Sequence, residues 1–339
     1  MLQLVIVSRL GCPMIISRRK LLGAACATTA TFALPRLANA DVYPAKPVRV
    51  IVPFAAGGPN DLAARLIAQG LSESLGKQFY VENIGGAGGN VGTGQASRAA
   101  SDGYTLLAVA PSYAANPALF DSVPYDPAKS FDAVTVAATA PTILTVHPSV
   151  PATTVAELII AIKAAPGKYS YASPGTGTPP HLLGELFRLT LQLDMVHVPF
   201  SSGGQAIGST LSGHTPISFG ALPPAVQHVK EGKLRALAIT SAAPSDALPG
   251  VPTIAQAGYP DLAADIWTAV LVPAGCPKEI VSLLQREIAR LMSLPEIRER
   301  MAALGYQPVG NTPDECARHI TTEATRWAKV IRDAGIKVR

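Results

Sequence analysis

An aliphatic run, Val48–Val52, feeds the glycine turn PFAAGGPND, and the turn feeds a helix with apolar residues at Leu62, Leu66, Ile67, Leu71 and Leu75. A continuous apolar run without polar alternation marks a strand covered on both faces, as in a parallel sheet flanked by helices. The same unit then recurs. A strand at Phe79–Asn83 leads into NIGGAGGN, and a strand at Tyr104–Ala110 ends at APSY. Farther on, YSYAS runs into PGTGTPP and the helix HLLGELFRL, and MVHVPF runs into SSGG and a helix over Gln205–Leu211. Strands are also predicted at Ala133–Ala138, at Ile143–His147, and in PISFG, RALAIT and WTAVLV. Asn60 or Asp61 is placed to cap the first helix. Thr154 and Glu157 form a capping-box pattern before ELIIAIKAA, which Pro166-Gly167 stops. Such alternation specifies an α/β fold with mainly parallel sheets.

The theme restarts near residue 142, and the tail after residue 265 is mainly helical, with helices predicted at Lys278–Met292, Pro295–Leu304 and Thr312–Ala334. The expected division is a first lobe over 41–142, a second over 143–264, and a return to the first over 265–339. Two crossings between lobes form a hinge, which suits closure around a ligand.

Residues 1–40 carry Arg9, Arg18, Arg19, Lys20 and Arg36 and no acidic residue. Ser17–Leu22 (SRRKLL) precedes the mild apolar stretch LLGAACATTATFAL, and Ala38-Asn39-Ala40 is an A-x-A cleavage pattern. This reads as an export signal, its paired arginines pointing to the twin-arginine route, with translation starting at Met1 or Met14. The apolar stretch is broken by threonines and falls short of the ~20 residues of a spanning helix. Lipid attachment at Cys26 is opposed by Gly23 and by the competing A-N-A site. The chain has 28 basic and 23 acidic residues, and removing the five in the signal leaves 23 against 23. A mature chain without basic excess is a poor partner for nucleic acid or anionic membrane. Of four cysteines, only Cys276 and Cys316 lie beyond the signal. They are either bridged, as an oxidising compartment allows, or two buried thiols.

Ligands of open parallel sheets gather beyond the carboxyl ends of strands, where helix N-termini point. Four such loops are rich in glycine or hydroxyls: FAAGGPND, NIGGAGGN, SPGTGTPP and FSSGG. Free N–H groups and the helix dipole favour an anion there. Ser173, Thr176, Thr178, Ser201 and Ser202 add hydroxyls, while the loops contain no lysine or arginine, the nearest being Arg65. A carboxylate met by neutral donors is expected. Any one loop alone reads first as a tight turn; four in corresponding positions point to a cleft. Asp61 is either a helix cap or an acceptor for a ligand, and His181 either an anion donor or a structural histidine.

Enzyme readings lack their parts. GGAGGNVG is out of the G-x-G-x-x-G register, and neither GxxxxGK[ST] nor H-E-x-x-H occurs. Ser173 in Y-A-S-P-G lacks the first glycine of a nucleophile elbow. His197, His214, His228 and His319 have no metal-ligand spacing. A protein without enzymatic activity, metal or cofactor is expected.

The chain resembles the substrate-binding proteins of tripartite tricarboxylate transporters, the Bug-type extracytoplasmic receptors. YPAKPVRVIVPFAAGGPNDLAARLIAQ carries that family's P-F-x-x-G-G-x-x-D-x-x-A-R pattern at Pro53 to Arg65, and VENIGGAGGNVG and SDGYTLL follow in order. PATTVAELIIAIKAAPGKYSYASPGTGTPPHLLGELF, VHVPFSSGGQAI and LPGVPTIAQAGYP extend the similarity over residues 42–339. The resemblance implies a type II-like, two-lobed periplasmic binding protein, monomeric, that closes on a small carboxylate. Di- and tricarboxylates, aromatic acids and amino acids are the candidate ligands, passed to permease subunits of the tripartite tricarboxylate type. Two other roles stay open: presenting the closed form to a sensor kinase, or hydrolysis through Ser173.

Carried onto this chain, the family's ligand contacts fall at Phe54, Ala55, Gly57, Gly58 and Asp61, with Gly86, Ala87 and Ser112 completing that lobe. In the second lobe they fall at Ser173, Gly175, Thr176, Gly177, His181, Phe200 and Gly203. Departures from the family pattern occur at Gly213-His214-Thr215-Pro216, at Gln256, and at Phe200-Ser201, where tyrosine and lysine are usual. The last change implies a different polarity beside the cleft.

Overall fold

The structure is a computed structural model that describes residues 43–241, 243–303 and 305–337. The export-signal reading of residues 1–40 lies outside the described residues.

The first aliphatic runs become strands β1 (Val48–Val52), β2 (Phe79–Asn83) and β3 (Thr105–Val109), interleaved with helices α1 (Pro59–Leu75), α2 (Asn90–Ser97) and α3 (Ser112–Leu119). Next come β4 (Phe131–Val146) and α4 (Val155–Ala164), then β5 (Tyr169–Ser173), α5 (Pro179–Thr190), β6 (Met195–Pro199) and α6 (Gly203–Leu211). The chain continues with β7 (Ile217–Ala221), α7 (Leu222–Lys230), β8 (Arg235–Ile239) and β9 (Asp265–Pro273). It closes with α8 (Lys278–Ser293), α9 (Pro295–Ala303), β10 (Gln307–Pro308) and α10 (Pro313–Ala334). All of these belong to one compact unit, Pro44–Arg339.

The two strands expected at Ala133–Ala138 and Ile143–His147 are a single one. β4 runs unbroken for 16 residues. Its first part pairs with β9 as far as Pro141↔Asp265, and its second pairs with β7 from Thr142↔Ala221 onward. Pro141, which has no N–H for a ladder, is thus the last residue joined to β9. The strand also bends at two register shifts against β9, and Asn311 satisfies the backbone freed there, its Oδ1 accepting from the Val136 N–H at 2.7 Å.

Strand order is β2-β1-β3-β9-β4-β7-β5-β6, with β8 and β10 also on β4. Parallel pairing holds for the flanking groups, β1 with β2 and β3, and β5 with β6 and β7. Every pairing made by β4, β8, β9 and β10 is antiparallel to its neighbour. This arrangement has a geometric consequence. Both β3 and β4 are antiparallel to β9, so β4 runs in the direction of β1–β3, while β5–β7 run against it. The carboxyl ends of the two parallel groups therefore face each other across the point where β4 crosses. Every glycine- and hydroxyl-rich loop of the sequence lies on one of those two edges.

An apolar core lies beside each group. Ile51, Leu107, Val109 and Trp267 pack with Tyr113 and Ile320 on one side, and Leu144, Tyr171, Phe187 and Phe219 on the other. A further cluster draws on both groups, with Ala115 and Leu119 of α3 and Leu182 of α5 against Trp327, Val330 and Ile331 of α10. Helix α10 begins with a full capping box between Thr312 and Glu315. Its Glu323 carboxylate accepts from both Trp267 Nε1 (3.3 Å) and Trp327 Nε1 (2.8 Å). The capping box predicted at Thr154 forms only by half: Thr154 accepts from the Glu157 N–H, while Glu157 turns back to Thr153.

Candidate functional site

On the first edge, the turn after β1 is held from below. Helix α1 is capped by Gly58 with Pro59 at its first position, so neither Asn60 nor Asp61 is the cap. Proline presets the helical φ at a position where a donor is not needed, which moves the cap to Gly58, two residues before Asn60 and three before Asp61. Asn60 instead ties two strands, donating to the Ala108 carbonyl at 2.9 Å and accepting from Thr268 Oγ1 at 2.9 Å. Asp61 is 1% exposed. Its Oδ2 accepts from the Gly57 N–H (2.8 Å) and Arg65 Nε (2.9 Å), and its Oδ1 from Asn83 Nδ2 (2.9 Å). Burial works against the charge, but the bonds from Arg65, Gly57 and Asn83 outweigh it and hold the carboxyl below its ordinary value. Asn83 also donates to the Phe54 carbonyl at 3.0 Å. Asp61 thus shapes the turn, and Arg65, bonded to Asp61 and Asn83, is committed to the same task.

Those bonds leave the outer backbone of the turn free. Ala55 and Gly57 are exposed and Phe54 and Gly58 half-buried. Among the described residues nothing accepts from the N–H groups of Ala55, Ala56 or Gly58. The second turn sits against the first, since a Cβ at Gly89 would lie 3.4 Å from Phe54 Cζ. It runs through four successive left-handed residues, Gly86 to Gly89, with Ala87 at φ 47° the only one bearing a side chain. Such a run is open to glycine and costly for others. It turns the exposed Gly86 and Ala87 outward, while Asn116 of α3 pins the Gly88 carbonyl at 2.9 Å. Ser112, half-buried, is the first residue of α3 beyond β3.

The second edge is built over a buried polar stack. Ser173 ends β5 fully buried, and His181 is buried in the first turn of α5. Neither meets solvent as a free donor. Ser173 Oγ shares a 2.7 Å hydrogen bond with His197 Nε2, and His181 Nδ1 accepts from the Gly177 N–H at 3.0 Å. The His181 and His197 rings stack at 3.9 Å, and the Tyr171 ring packs on His197 at 4.9 Å. Tyr171 donates to Glu185 Oε1 (2.6 Å), and Arg188 holds Glu185 Oε2 through Nε and Nη2 (2.9 and 2.7 Å). Burial pushes His181 down to about 3, helped by His197, and His197 down to about 4. Both rings are neutral at neutral pH, and the Gly177 bond puts the His181 proton on Nε2.

Above the stack, Gly175 and Phe200 lie together: a Cβ at Gly175 would sit 3.4 Å from the Phe200 carbonyl oxygen, and the Phe200 N–H donates to the Ser173 carbonyl at 3.0 Å. Gly203, half-buried, opens α6 next to Pro174. Within the turn, the N–H groups of Gly175, Gly177 and Thr178 are bonded to Ser173 Oγ, His181 and the Gly175 carbonyl. The exposed Thr176 N–H has no acceptor among the described residues. Ser201 and Ser202 spend their hydroxyls on Gln205 at the start of α6.

The other departures from the family pattern are local. Gln256 and Thr253 bond each other's backbone, and His214 bonds Ser212. Cys276 and Cys316 are buried and unbridged, and burial pushes both thiols up, to about 11 and about 12.

Sequence reasoning missed His197, Tyr171, Glu185 and Arg188. The register pairs Tyr171 with His197 on adjacent parallel strands, and alternation of faces along YSYAS was the available signal. The Ser173–His197 contact has hydrolase-like spacing but not its chemistry. Ser173 is 0% exposed, burial makes His197 a weak base, and Glu185, engaged by Tyr171 and Arg188, makes no hydrogen bond to it. Among the described residues no group of three or more potential ligands could hold a metal ion.

The family model described as "Tripartite tricarboxylate transporter family receptor" matches residues 63–336. Protein BugT of Bordetella pertussis is 37% identical over 313 residues, covering 92% of this chain and 95% of that protein. Among solved structures, one of a periplasmic transporter is 40% identical with a TM-score of 0.75, covering 87% of this chain and 99% of its own. R. palustris Rpa4515 with adipate is 33% identical with a TM-score of 0.75, covering 87% of this chain and all of its own.

Proposed function

This chain belongs to the tripartite tricarboxylate transporter receptor family, and from that premise we propose that it is a periplasmic receptor, not an enzyme, for a small organic carboxylate. It is exported through the signal in residues 1–40, captures its ligand by closure of its lobes, and delivers it to permease subunits of the tripartite tricarboxylate type. The lobes are residues 41–142 with 265–339, and residues 143–264.

The observation that carries this reading is the pattern of unused donors. The facing edges offer N–H groups at Ala55, Ala56 and Gly58 on one side and at Thr176 on the other, while Arg65 is bound to Asp61. Helix N-termini with free N–H groups stabilise an anion without a cation beside it. The glycine turns let the backbone approach a carboxylate closely, and a ligand with an acceptor at each end engages both lobes. The adipate-bound relative has a ligand of that kind.

A thermal-shift panel of adipate and other di- and tricarboxylates, aromatic acids and acidic amino acids tests the proposal. A true ligand at ~100 times its Kd adds about 2.7 kcal/mol to unfolding. A folded sample that responds to none of them would defeat the reading.

A further inference from the structure

We infer that His197 is the positioning residue of the second-lobe half of the ligand site, acting through Ser173 and His181 and not by touching the ligand. The inference rests on the reading that the turn Pro174–Thr178 meets the carboxylate.

His197 lies on β6, one strand away from the turn, yet it holds the turn at both ends. At the entrance, its Nε2 is bonded to Ser173 Oγ, and that oxygen in turn accepts from the Gly175 N–H at 3.3 Å. At the exit, its ring lies on the ring of His181, whose Nδ1 takes the Gly177 N–H. Thr178 Oγ1 closes the turn on the Gly175 carbonyl at 2.7 Å. With Gly175, Gly177 and Thr178 all committed inward, Thr176 is the one residue of the turn whose N–H is left to face outward. The selection of that donor depends on two pins, and His197 contacts both.

The stack itself is held in turn by a buried tyrosine. Tyr171 packs on His197, and Glu185 and Arg188 fix the Tyr171 hydroxyl, so His197 cannot shift without moving a fully buried tyrosine. Gly184 is part of the same fit: a Cβ there would lie 2.2 Å from Tyr171 Cε2. A dense support of this kind gives a binding loop a rigid geometry before the ligand arrives, which lowers the ordering cost of binding.

The test is amide hydrogen exchange on the ligand-free protein, with His197→Phe, which keeps a ring in the stack but removes the hydrogen bond, and Ser173→Ala, which removes the same bond from the other end. Exchange at Gly177 and Thr178, whose own acceptors both variants leave in place, should rise about tenfold, while Tyr171 and Ala172 on the preceding strand stay protected. Ring nitrogen spectra should show His181 losing its fixed Nε2–H tautomer in His197→Phe. If His197→Phe fails to fold, Ser173→Ala decides alone. Unchanged exchange in Ser173→Ala overturns the inference, as does a rise shared equally by the turn and the strand, which would mark a merely structural role. Because no ligand is added, this outcome is independent of the carboxylate panel, which tests the receptor reading separately.

Discussion

Replacing Asp265 by asparagine probes the point where β4 and β9 part. Asp265 pairs with Pro141 at the end of their ladder, and its Oδ1 is buried with no hydrogen-bond partner among the described residues. Burial, and then the charge of Glu323, push its carboxyl from an ordinary 3.8 up to about 7. The folded protein therefore holds this proton more tightly than the unfolded chain does. Stability from the protonated form is fully present below pH 3.8 and is lost as pH rises through about 7. Each tenfold difference in proton affinity is worth about 1.4 kcal/mol, so the three-odd factors of ten bound the loss at roughly 4 kcal/mol. Local relaxation and water entry reduce this, and ~1–3 kcal/mol is expected.

Asparagine keeps the shape and cannot ionise, so Asp265→Asn should stabilise at pH 8 and make little difference at pH 4. The natural assay is urea unfolding followed by intrinsic fluorescence. The chain has two tryptophans, and both indoles bond to Glu323, the neighbour whose charge acts on Asp265. An asparagine variant less stable than wild type at pH 8, or equally stabilised at both pH values, would refute the reasoning.

Three further outcomes follow from the site. Gly184→Ala gains about 1 kcal/mol of helix propensity but drives a methyl into the buried Tyr171 ring. Overpacking of ~1–3 kcal/mol wins, so thermal unfolding should come earlier, and a raised Tm would contradict the fit described. Asp61→Asn keeps the side-chain shape but weakens the bonds to Gly57 and Arg65. Its expected cost is about 1–2 kcal/mol, discounted because Arg65 is half exposed, together with a smaller carboxylate-induced thermal shift; chemical denaturation and the panel measure the two effects. His181 and His197 have lowered values in the fold, so their contribution is present above pH 6.5 and lost as pH falls towards about 4 and then about 3. The unfolding free energy of His197→Phe should therefore fall less steeply than wild type between pH 6.5 and 4, and equal slopes would count against the buried stack.

The places where the sequence misled are physical in origin. Pro141 separates two apolar runs and reads as a break, yet β4 passes straight through it, because its backbone is paired with β9 up to that residue and with β7 after it. Asn60 and Asp61 are good capping residues by type, but Pro59 starts the helix and leaves their side chains for tertiary bonds. Ser173 and His181 flank the glycine-rich turn after β5 and have hydrogen-bonding side chains of the type that meets a ligand, while their partners come from β6 and from the turn's own backbone.

What the sequence alone determined is local. The 2.0 and 3.6 periodicities, the prolines at helix starts and the glycine turns specify strands, helices and their order, because those preferences act over a few residues. They also specify that the turns carry backbone donors without cations. Only the tertiary structure decided which donors remain unused. That outcome depends on strand direction, which sets the two groups of turns on facing edges, and on contacts between residues far apart in the chain. A hydrogen-bonding group is available to a ligand only after the fold has settled which of its neighbours have already claimed it.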